Sequence, residues 1–318
     1  MTTDFAEIPV ISLSALEGGS RADVDRATRE VVAACQLVGF FYVTDHGVPT
    51  RLIDGIFEAA RWFFSRPQSE RDALDVAASP NFRGYVPMGI TGPGVPRRML
   101  EAFQMMLELG DDDPDVRAGN IMYGPNRWPP NAPQFRAAME GYFGEVSNLS
   151  NRLLSVFARG LGLADDFFRP FFRKPLTQLR LLHYPPQPPD SDAQGVETHT
   201  DTGAFTILLQ DQTGGLEVRN RSGLWLPATP IAGSFVINIA DMMQRWTNGH
   251  FVSTPHRVAN RTGKDRISVP FFANPDYHAT IAPLARNLAG EASYEPLACG
   301  PYVEAAYLAA WPRKRAAQ

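Results

Sequence analysis

The residues best suited to chemistry are two histidines and an aspartate in the second half of the chain. One residue separates His199 from Asp201, and His256 follows further along. Two imidazoles and one carboxylate can hold Fe(II) on one face and leave coordination positions open for oxygen chemistry. Downstream, Arg266 and Ser268 add a guanidinium and a hydroxyl, which suit the carboxylate of a small molecule. The ordered set predicts a metal site beside a carboxylate-binding site.

Segments with strand character flank both parts of this metal site. The run Phe205 to Leu209 follows Asp201, and the run Ser234 to Ile239 precedes the segment that carries His256. Both runs contain β-branched and aromatic residues, and glycine-containing turns separate them. We therefore predict that residues 175 to 280 are mostly β.

The N-terminal part predicts helices that support this β region. Apolar residues recur at helical spacing from Val24 to Cys35, and Gly39 stops the pattern before a short apolar strand, Phe40 to Val43. A second helix is predicted to start with Thr50 as its cap and to stop before Pro67.

A third, long helix is predicted from Pro133 to Gly160, as a scaffold under the β region. Residues 79 to 130 are rich in proline and glycine, which predicts loops over the site.

Four segments together resemble a known family. They are GFFYVTDHGVP from Gly39, RLLHYPP from Arg180, DMMQRWTNG from Asp241 and RISVPFF from Arg266. In this order they are similar to the isopenicillin N synthase-like family of the Fe(II)/2-oxoglutarate-dependent dioxygenases. The resemblance extends over nearly the whole chain.

The resemblance implies an α+β, mainly β fold, with a double-stranded β-helix (jelly-roll) core that N-terminal and central helices support. We expect one compact catalytic unit with four parts. Residues 1–125 form a mixed N-terminal region with substrate loops, 126–172 the scaffold helix, 173–280 the jelly-roll core and 281–318 a C-terminal extension.

The resemblance also implies the cofactors. His199, Asp201 and His256 would bind Fe(II), and 2-oxoglutarate and O₂ would be co-substrates, with ascorbate as a possible addition in vitro. The co-substrate's far carboxylate needs a buried cationic partner, since an unpaired charge there would be costly. The residues expected to bind 2-oxoglutarate are Arg266, Ser268, Tyr184 and Arg180, although Arg180 could instead be structural.

One position departs from the family. Many plant members carry Asn-Tyr-Tyr-Pro where this chain has Leu182-His183-Tyr184-Pro185, so an amide donor toward the co-substrate is missing at Leu182.

The substrate is expected to be a small metabolite, hydroxylated or desaturated with release of succinate and CO₂, in specialised metabolism. An inward-facing Arg97 or Arg98 would indicate a substrate carboxylate, and outward-facing arginines would leave an aromatic, mostly apolar pocket. The candidate substrate residues are Arg83, Tyr85, Arg97, Arg98, Phe103, Phe205 and Phe272.

Composition narrows the other partners. A net charge of −4 gives no electrostatic case for binding nucleic acid or an anionic membrane, because those partners normally require a basic face. No apolar run approaches the roughly 18 residues of a membrane span, and the start of the chain lacks a signal-peptide pattern. With only two cysteines, a structural disulfide is not expected. We expect a cytoplasmic protein with no obligate protein partner.

Two other interpretations remain open at this stage. The same iron site could serve a 2-oxoglutarate-free oxidase or cyclase, or an enzyme that fragments the co-substrate to ethylene. A non-catalytic β-barrel that binds a ligand or senses iron belongs to a different class, and an open-sided iron site argues against it.

Overall fold

The helices and strands follow the periodicities of the sequence. The computed structural model describes residues 4–89, 99–187, 195–284 and 294–311. The helices are α1 (Arg21–Leu37), α2 (Thr50–Phe64), α3 (Gln68–Asp72), α4 (Pro114–Arg117), α5 (Pro133–Gly160), α6 (Asp241–Trp246) and α7 (Cys299–Ala310). The strands are β1 (Val10–Ser12), β2 (Phe40–Thr44), β3 (Gly84–Val86), β4 (Glu101–Met106), β5 (Gln178–Tyr184), β6 (Val196–His199), β7 (Phe205–Gln210), β8 (Leu216–Arg219), β9 (Trp225–Pro227), β10 (Phe235–Ile239), β11 (His256–Val258), β12 (Arg266–Ala273), β13 (Thr280–Ile281) and β14 (Leu297–Ala298).

Two sheets build the jelly roll. The major sheet has eight strands in the order β1-β2-β10-β7-β12-β5-β4-β3, and the minor sheet has four in the order β6-β11-β8-β9. Apart from the parallel pair β1 and β2, neighbouring strands in both sheets are antiparallel. The predicted mainly β fold with supporting helices is confirmed.

Alternation along the strands of the major sheet separates a helix-facing side from an inward side. Phe271 of β12 packs against Phe143 of α5, and Phe205 of β7 packs edge-to-face against Phe157 of the same helix. Successive side chains of a strand point to opposite faces, so the neighbours of these aromatics face into the jelly roll. The inner faces are therefore available for polar chemistry.

Helix α5 has the predicted bounds, and α1, α2 and β2 lie where the sequence placed them. Thr50 is the first residue of α2 but makes no capping hydrogen bond; Pro49 occupies the cap position. The loop prediction for residues 79 to 130 was partly wrong, because β3 and β4 lie there and extend the major sheet. Every residue of β4 is buried, so its sequence shows little alternation between apolar and polar residues. The strand is stabilised by its pairing with β5, which the sequence does not display.

Gly39 turns the chain from α1 into β2. Its φ of +70° lies in the left-handed region, and a Cβ there would stand 2.3 Å from the carbonyl oxygen of Val252. The segment that leads to His256 can therefore pack closely against Gly39. A hydrogen bond anchors this segment, since the hydroxyl of Thr254 donates to the carbonyl oxygen of Val38, 2.7 Å away.

Cys35 and Cys299 are both buried and carry free thiols. No helix within the described ranges is long and apolar enough to cross a lipid bilayer.

A buried ionic cluster lies on the outer side of the major sheet. Glu101 accepts hydrogen bonds from Arg71, from the hydroxyl of Tyr85 at 2.5 Å and from Nδ1 of His183 at 2.8 Å. The other ring nitrogen of His183 lies 2.9 Å from Asp265. Burial disfavours the charged imidazole, but the two carboxylates prevail and raise the pKa of His183 above its ordinary value. The cluster ties β4, β5 and α3 together.

We expect His183→Gln to destabilise the protein most at low pH. The pKa of His183 is higher in the folded protein than in the unfolded chain, where it is about 6.5. The resulting stabilisation is fully present below the unfolded-state pKa and is lost as the pH rises through the folded-state pKa. Urea unfolding of both proteins between about pH 6 and about pH 9 should therefore show the difference in unfolding free energy shrinking with pH.

His250 provides a control of opposite sign. Burial lowers its pKa, so its contribution to stability is lost as the pH falls. The difference between wild type and His250→Gln should therefore grow with pH, and equal slopes for the two variants would contradict the assignment.

Candidate active site

The three predicted metal ligands meet where the two sheets face each other. His199 ends β6 and His256 begins β11, and the antiparallel pairing of these strands sets the two histidines opposite each other. Asp201 follows in the turn before β7, with its Oδ1 3.6 Å from Nε2 of His199 and 3.7 Å from Nε2 of His256. One donor atom from each residue lies within 4.8 Å of the others, close enough to share one metal ion.

Backbone carbonyls orient the two imidazoles. Nδ1 of His199 lies 2.7 Å from the carbonyl oxygen of Glu197, and Nδ1 of His256 lies 3.2 Å from that of Thr254. A carbonyl only accepts, so each Nδ1 carries the proton and each Nε2 keeps its lone pair. Both lone pairs are thereby available to a metal.

The carboxylate of Asp201 is held from the other side by the major sheet. Its Oδ2 accepts hydrogen bonds from the hydroxyl of Thr206 at 2.6 Å and from the amide of Asn238 at 2.8 Å. These donors occupy one oxygen, so Oδ1 remains directed at the histidines. Thr206 and Asn238 were not predicted from the sequence as site residues. An asparagine inside the apolar run Phe235–Ile239 could have indicated a polar partner in the core.

The protonation states also suit metal binding. Burial raises the pKa of Asp201, but His256, His199 and the hydrogen bond from Thr206 outweigh it and leave the pKa well below its ordinary value. Burial lowers the pKa of His256, despite the opposing charge of Asp201. The site therefore holds a carboxylate and a neutral imidazole at neutral pH, which are the forms that bind metals.

Arg266 and Ser268 lie in a cavity that also contains the metal ligands. This inner cavity is bounded by β2, β5, β6, β7, β8, β10, β11 and β12. Arg266 is fully buried: its Nε donates to the carbonyl of Gly214 at 2.5 Å and its Nη1 to Ser268 at 3.1 Å, whereas Nη2 has no hydrogen-bond partner among the described atoms. A buried guanidinium nitrogen without an acceptor is costly unless a ligand supplies one. The arrangement fits an incoming carboxylate.

Tyr184 lines the same cavity and contacts Arg266. Its ring lies under the guanidinium of Arg266, with the guanidinium carbon 4.7 Å from the ring centre, and the two residues are paired across β5 and β12. Gly195 allows this position, since a Cβ there would stand 2.6 Å from the tyrosine ring. Tyr184 therefore orients Arg266 through a cation–π contact.

A second, outer cavity of about 320 Å³ adjoins the inner one at His199 and Asp201. It shares His199, Asp201 and Phe272 with the inner cavity and is large enough for a small metabolite, since such sites begin at about 300 Å³. Arg180 lines this outer cavity and is absent from the wall of the inner one. The structure therefore places Arg180 apart from Arg266.

Only one of the seven predicted substrate residues lines a cavity at the metal site within the described part of the chain, and that residue is Phe272. Phe103 packs against Phe63 and Phe135, and Phe205 faces α5, because each occupies the helix-facing side of its strand. The hydroxyl of Tyr85 is bonded to Glu101 in the outer ionic cluster.

Arg83 is buried behind the cavity wall, where it donates to the carbonyls of Asn81 and Met122. Arg97 and Arg98 lie outside the described residues.

Helix α7 forms a wall of the outer cavity, a role that the sequence analysis did not predict. The lining side chains recur every three or four residues, which is the spacing of one helical face. They are Val303, Ala306, Tyr307 and Ala310, followed by Trp311 at the C-terminal cap of the helix. This apolar and aromatic stripe was a usable signal in the C-terminal segment.

Comparison with known families agrees with this geometry. The profile of the 2OG-Fe(II) oxygenase superfamily matches residues 176–275, which include the three candidate metal ligands and Arg266. The N-terminal profile described as non-haem dioxygenase in morphine synthesis matches residues 8–131.

Similar proteins extend the match over nearly the whole chain. The 2-oxoglutarate-Fe(II) type oxidoreductase hxnY of Emericella nidulans is 33% identical, covering 97% of this chain and 91% of that protein. The homoarginine-6-hydroxylase 2-ODD-C23 of Glycine max is 35% identical, covering 89% and 90%. A full-length Neurospora crassa protein, crystallised in complex with alpha-KG and thymine, superimposes with a TM-score of 0.83 at 26% identity, covering 93% and 95%. The chain therefore belongs to the 2OG-Fe(II) oxygenase superfamily and is a 2-oxoglutarate- and iron-dependent oxygenase that acts on a small molecule.

Proposed function

We propose that the enzyme binds Fe(II) through His199, Asp201 and His256, binds 2-oxoglutarate through Arg266 and Ser268, and hydroxylates or desaturates a metabolite in the outer cavity. The observation that carries this proposal is the buried Nη2 of Arg266, which lacks an acceptor among the described atoms and lies in the same cavity as the three metal ligands. Succinate and CO₂ are the expected co-products.

Three protein ligands leave three of the six positions that Fe(II) prefers, and the bound iron supplies the oxygen-activating chemistry there. The protein's part is to hold its ligands in fixed orientations. Two backbone carbonyls fix the histidine rings, while Thr206 and Asn238 fix the aspartate. Such supports raise metal affinity because the ligands need no rearrangement.

Arg266 and Ser268 position the co-substrate. A guanidinium binds a carboxylate through two parallel hydrogen bonds, and burial strengthens them. Nη1 and the hydroxyl of Ser268 form one side of this binding site and the open Nη2 forms the other. In this proposal the far carboxylate of 2-oxoglutarate binds here, and its other end reaches the metal.

The finer biological setting is also part of this proposal. We propose a cytoplasmic enzyme of specialised metabolism, and the two buried, unpaired thiols are consistent with a reducing compartment.

Replacing His199 by alanine should abolish succinate formation. Loss of a supporting residue around a metal ligand costs about 10- to 100-fold in metal affinity or activity, so loss of the ligand itself should cost at least as much. The measurement is anaerobic loading with Fe(II), addition of 2-oxoglutarate and air, and quantitation of succinate and headspace gas.

His278→Ala is the matched control, since His278 is exposed and pairs with Asp115 away from the metal ligands. Ethylene in the headspace would indicate the fragmenting type of enzyme. Iron binding without any consumption of 2-oxoglutarate would indicate an oxidase or a ligand-binding protein and would overturn the proposal.

Arg266→Gln should weaken 2-oxoglutarate binding by about 10- to 100-fold, since a hydrogen bond to a charged group contributes about 1.5–3 kcal/mol. Ser268→Ala should have a smaller effect, because it removes one neutral donor. Calorimetric titration of the Mn(II)-loaded proteins measures both affinities. An unchanged affinity in Arg266→Gln would exclude this residue as the carboxylate-binding group.

Asn238→Ala should reduce metal affinity by about 10-fold or more while 2-oxoglutarate binding at saturating metal changes little. The reason is that the Asn238 amide donates to the aspartate oxygen that is turned away from the histidines. Competition with a coloured chelator measures the metal affinity. An equal loss of both affinities would indicate general disruption of the jelly roll instead.

A further inference from the structure

The outer cavity has an uneven chemical character. Near the metal ligands it is bounded by Thr200, Thr202 and Asn274, and at the other end by the aromatic side chains of α7. Arg180 of β5 is its only lining arginine or lysine within the described part of the chain. The guanidinium carbon of Arg180 lies 6.0 Å from the ring centre of Trp311, so the cation and the indole lie side by side at the α7 end.

A second buried cation lies behind this wall. Arg83 is 1% exposed, and no carboxylate among the described residues is within ion-pair distance of it. Burial lowers the pKa of Arg83 to about 10, which leaves it charged at neutral pH. Its neighbour Phe82 packs against both Tyr307 and Trp311. Arg83 thus adds positive potential to the end of the cavity that Arg180 lines.

Tyr307 lines the same cavity, feels the charge of both arginines and supplies a neutral donor. Burial raises the pKa of its phenol, and the opposing influence of Arg180 and Arg83 does not reverse this shift. The phenol therefore keeps its proton and can donate a hydrogen bond.

Among the described lining residues, no carboxylate lies at the α7 end to pair with a cationic substrate. Asp201 is the single carboxylate among the described lining residues, and its open oxygen faces the two histidines. A guanidinium or ammonium group placed at that end would be desolvated beside the like charge of Arg180, which is costly.

Resting on the proposed function, we propose that the substrate of this enzyme is a monocarboxylate with a neutral aromatic or alicyclic body, whose carboxylate binds Arg180 at the α7 end of the outer cavity. The body lies between Phe272 and Trp311 and presents a C–H bond toward the metal ligands. Arg180 is then a substrate-binding residue and not a ligand of 2-oxoglutarate. The same site disfavours homoarginine, whose side chain carries a guanidinium.

The test compares matched compounds on the enzyme loaded with Mn(II) and 2-oxoglutarate, so that binding is measured without turnover. The probes are aromatic and alicyclic monocarboxylic acids, each paired with its primary amide and with the amine that replaces the carboxyl group, together with homoarginine and thymine. Thermal shift identifies the binders, and calorimetry gives their affinities. We expect acids to bind about tenfold or more tightly than their amides, the equivalent of a single charge-assisted contact.

Three variants locate the effect. Arg180→Gln should remove the preference for acids, Arg180→Lys should restore part of it, and both should bind 2-oxoglutarate within about twofold of wild type, which also shows that they are folded. Arg219→Gln is the matched control, since Arg219 lies 5.9 Å from the ring centre of Trp225 outside this cavity and should retain the full preference.

The outcomes separate this inference from the proposed function. Intact 2-oxoglutarate binding with no acid among the binders, with equal affinity for acids and amides, or with tighter binding of homoarginine or thymine would overturn the monocarboxylate alone. A wild-type protein that fails to bind 2-oxoglutarate would overturn both. Loss of 2-oxoglutarate binding in Arg180→Gln would show that Arg180 binds the co-substrate and would overturn its role in binding the substrate.

Discussion

The carboxylate of Asp201 joins the two sheets of the jelly roll. Its Oδ2 accepts hydrogen bonds from Thr206 and Asn238, which belong to the major sheet, and its Oδ1 faces the two histidines of the minor sheet. Residues from the inner faces of both sheets contact this one buried carboxylate, so the spacing of the sheets and the geometry of the metal site depend on each other. A bound divalent cation would strengthen this junction, because it binds the folded state and not the unfolded chain.

Strand alternation separates chemistry from packing throughout the major sheet. Thr206 faces the aspartate while its neighbour Phe205 faces α5, and Arg266 and Ser268 face the inner cavity while Phe271 packs against the same helix. A strand that is buried on both faces carries no hydrophobic alternation in its sequence. For this reason aromatic residues were assigned to the substrate site although they lie on the helix side.

Along β5, two inward-facing residues serve different cavities. Tyr184 stacks on Arg266 in the inner cavity, whereas Arg180 lines the outer cavity beside Trp311, at the C-terminal end of α7. Four residues of a strand span about 13 Å, since each adds about 3.3 Å. One strand can therefore place a cation in one cavity and an aromatic ring against Arg266 in the other.

The amino-acid sequence alone was enough to predict the long helix from Pro133 to Gly160 and the mainly β core. It also offered His199, Asp201 and His256 as candidate metal ligands and Arg266 and Ser268 as candidate carboxylate-binding residues. These predictions rest on residue type, periodicity and the order of motifs, which a linear chain displays directly. The supports of Asp201, the role of α7 and the division between two cavities were decided by tertiary structure. The physical reason is that a hydrogen bond such as that from Asn238 to Asp201, or a wall formed by Trp311 beside Arg180, joins residues far apart in the chain, and only strand register and packing bring them together.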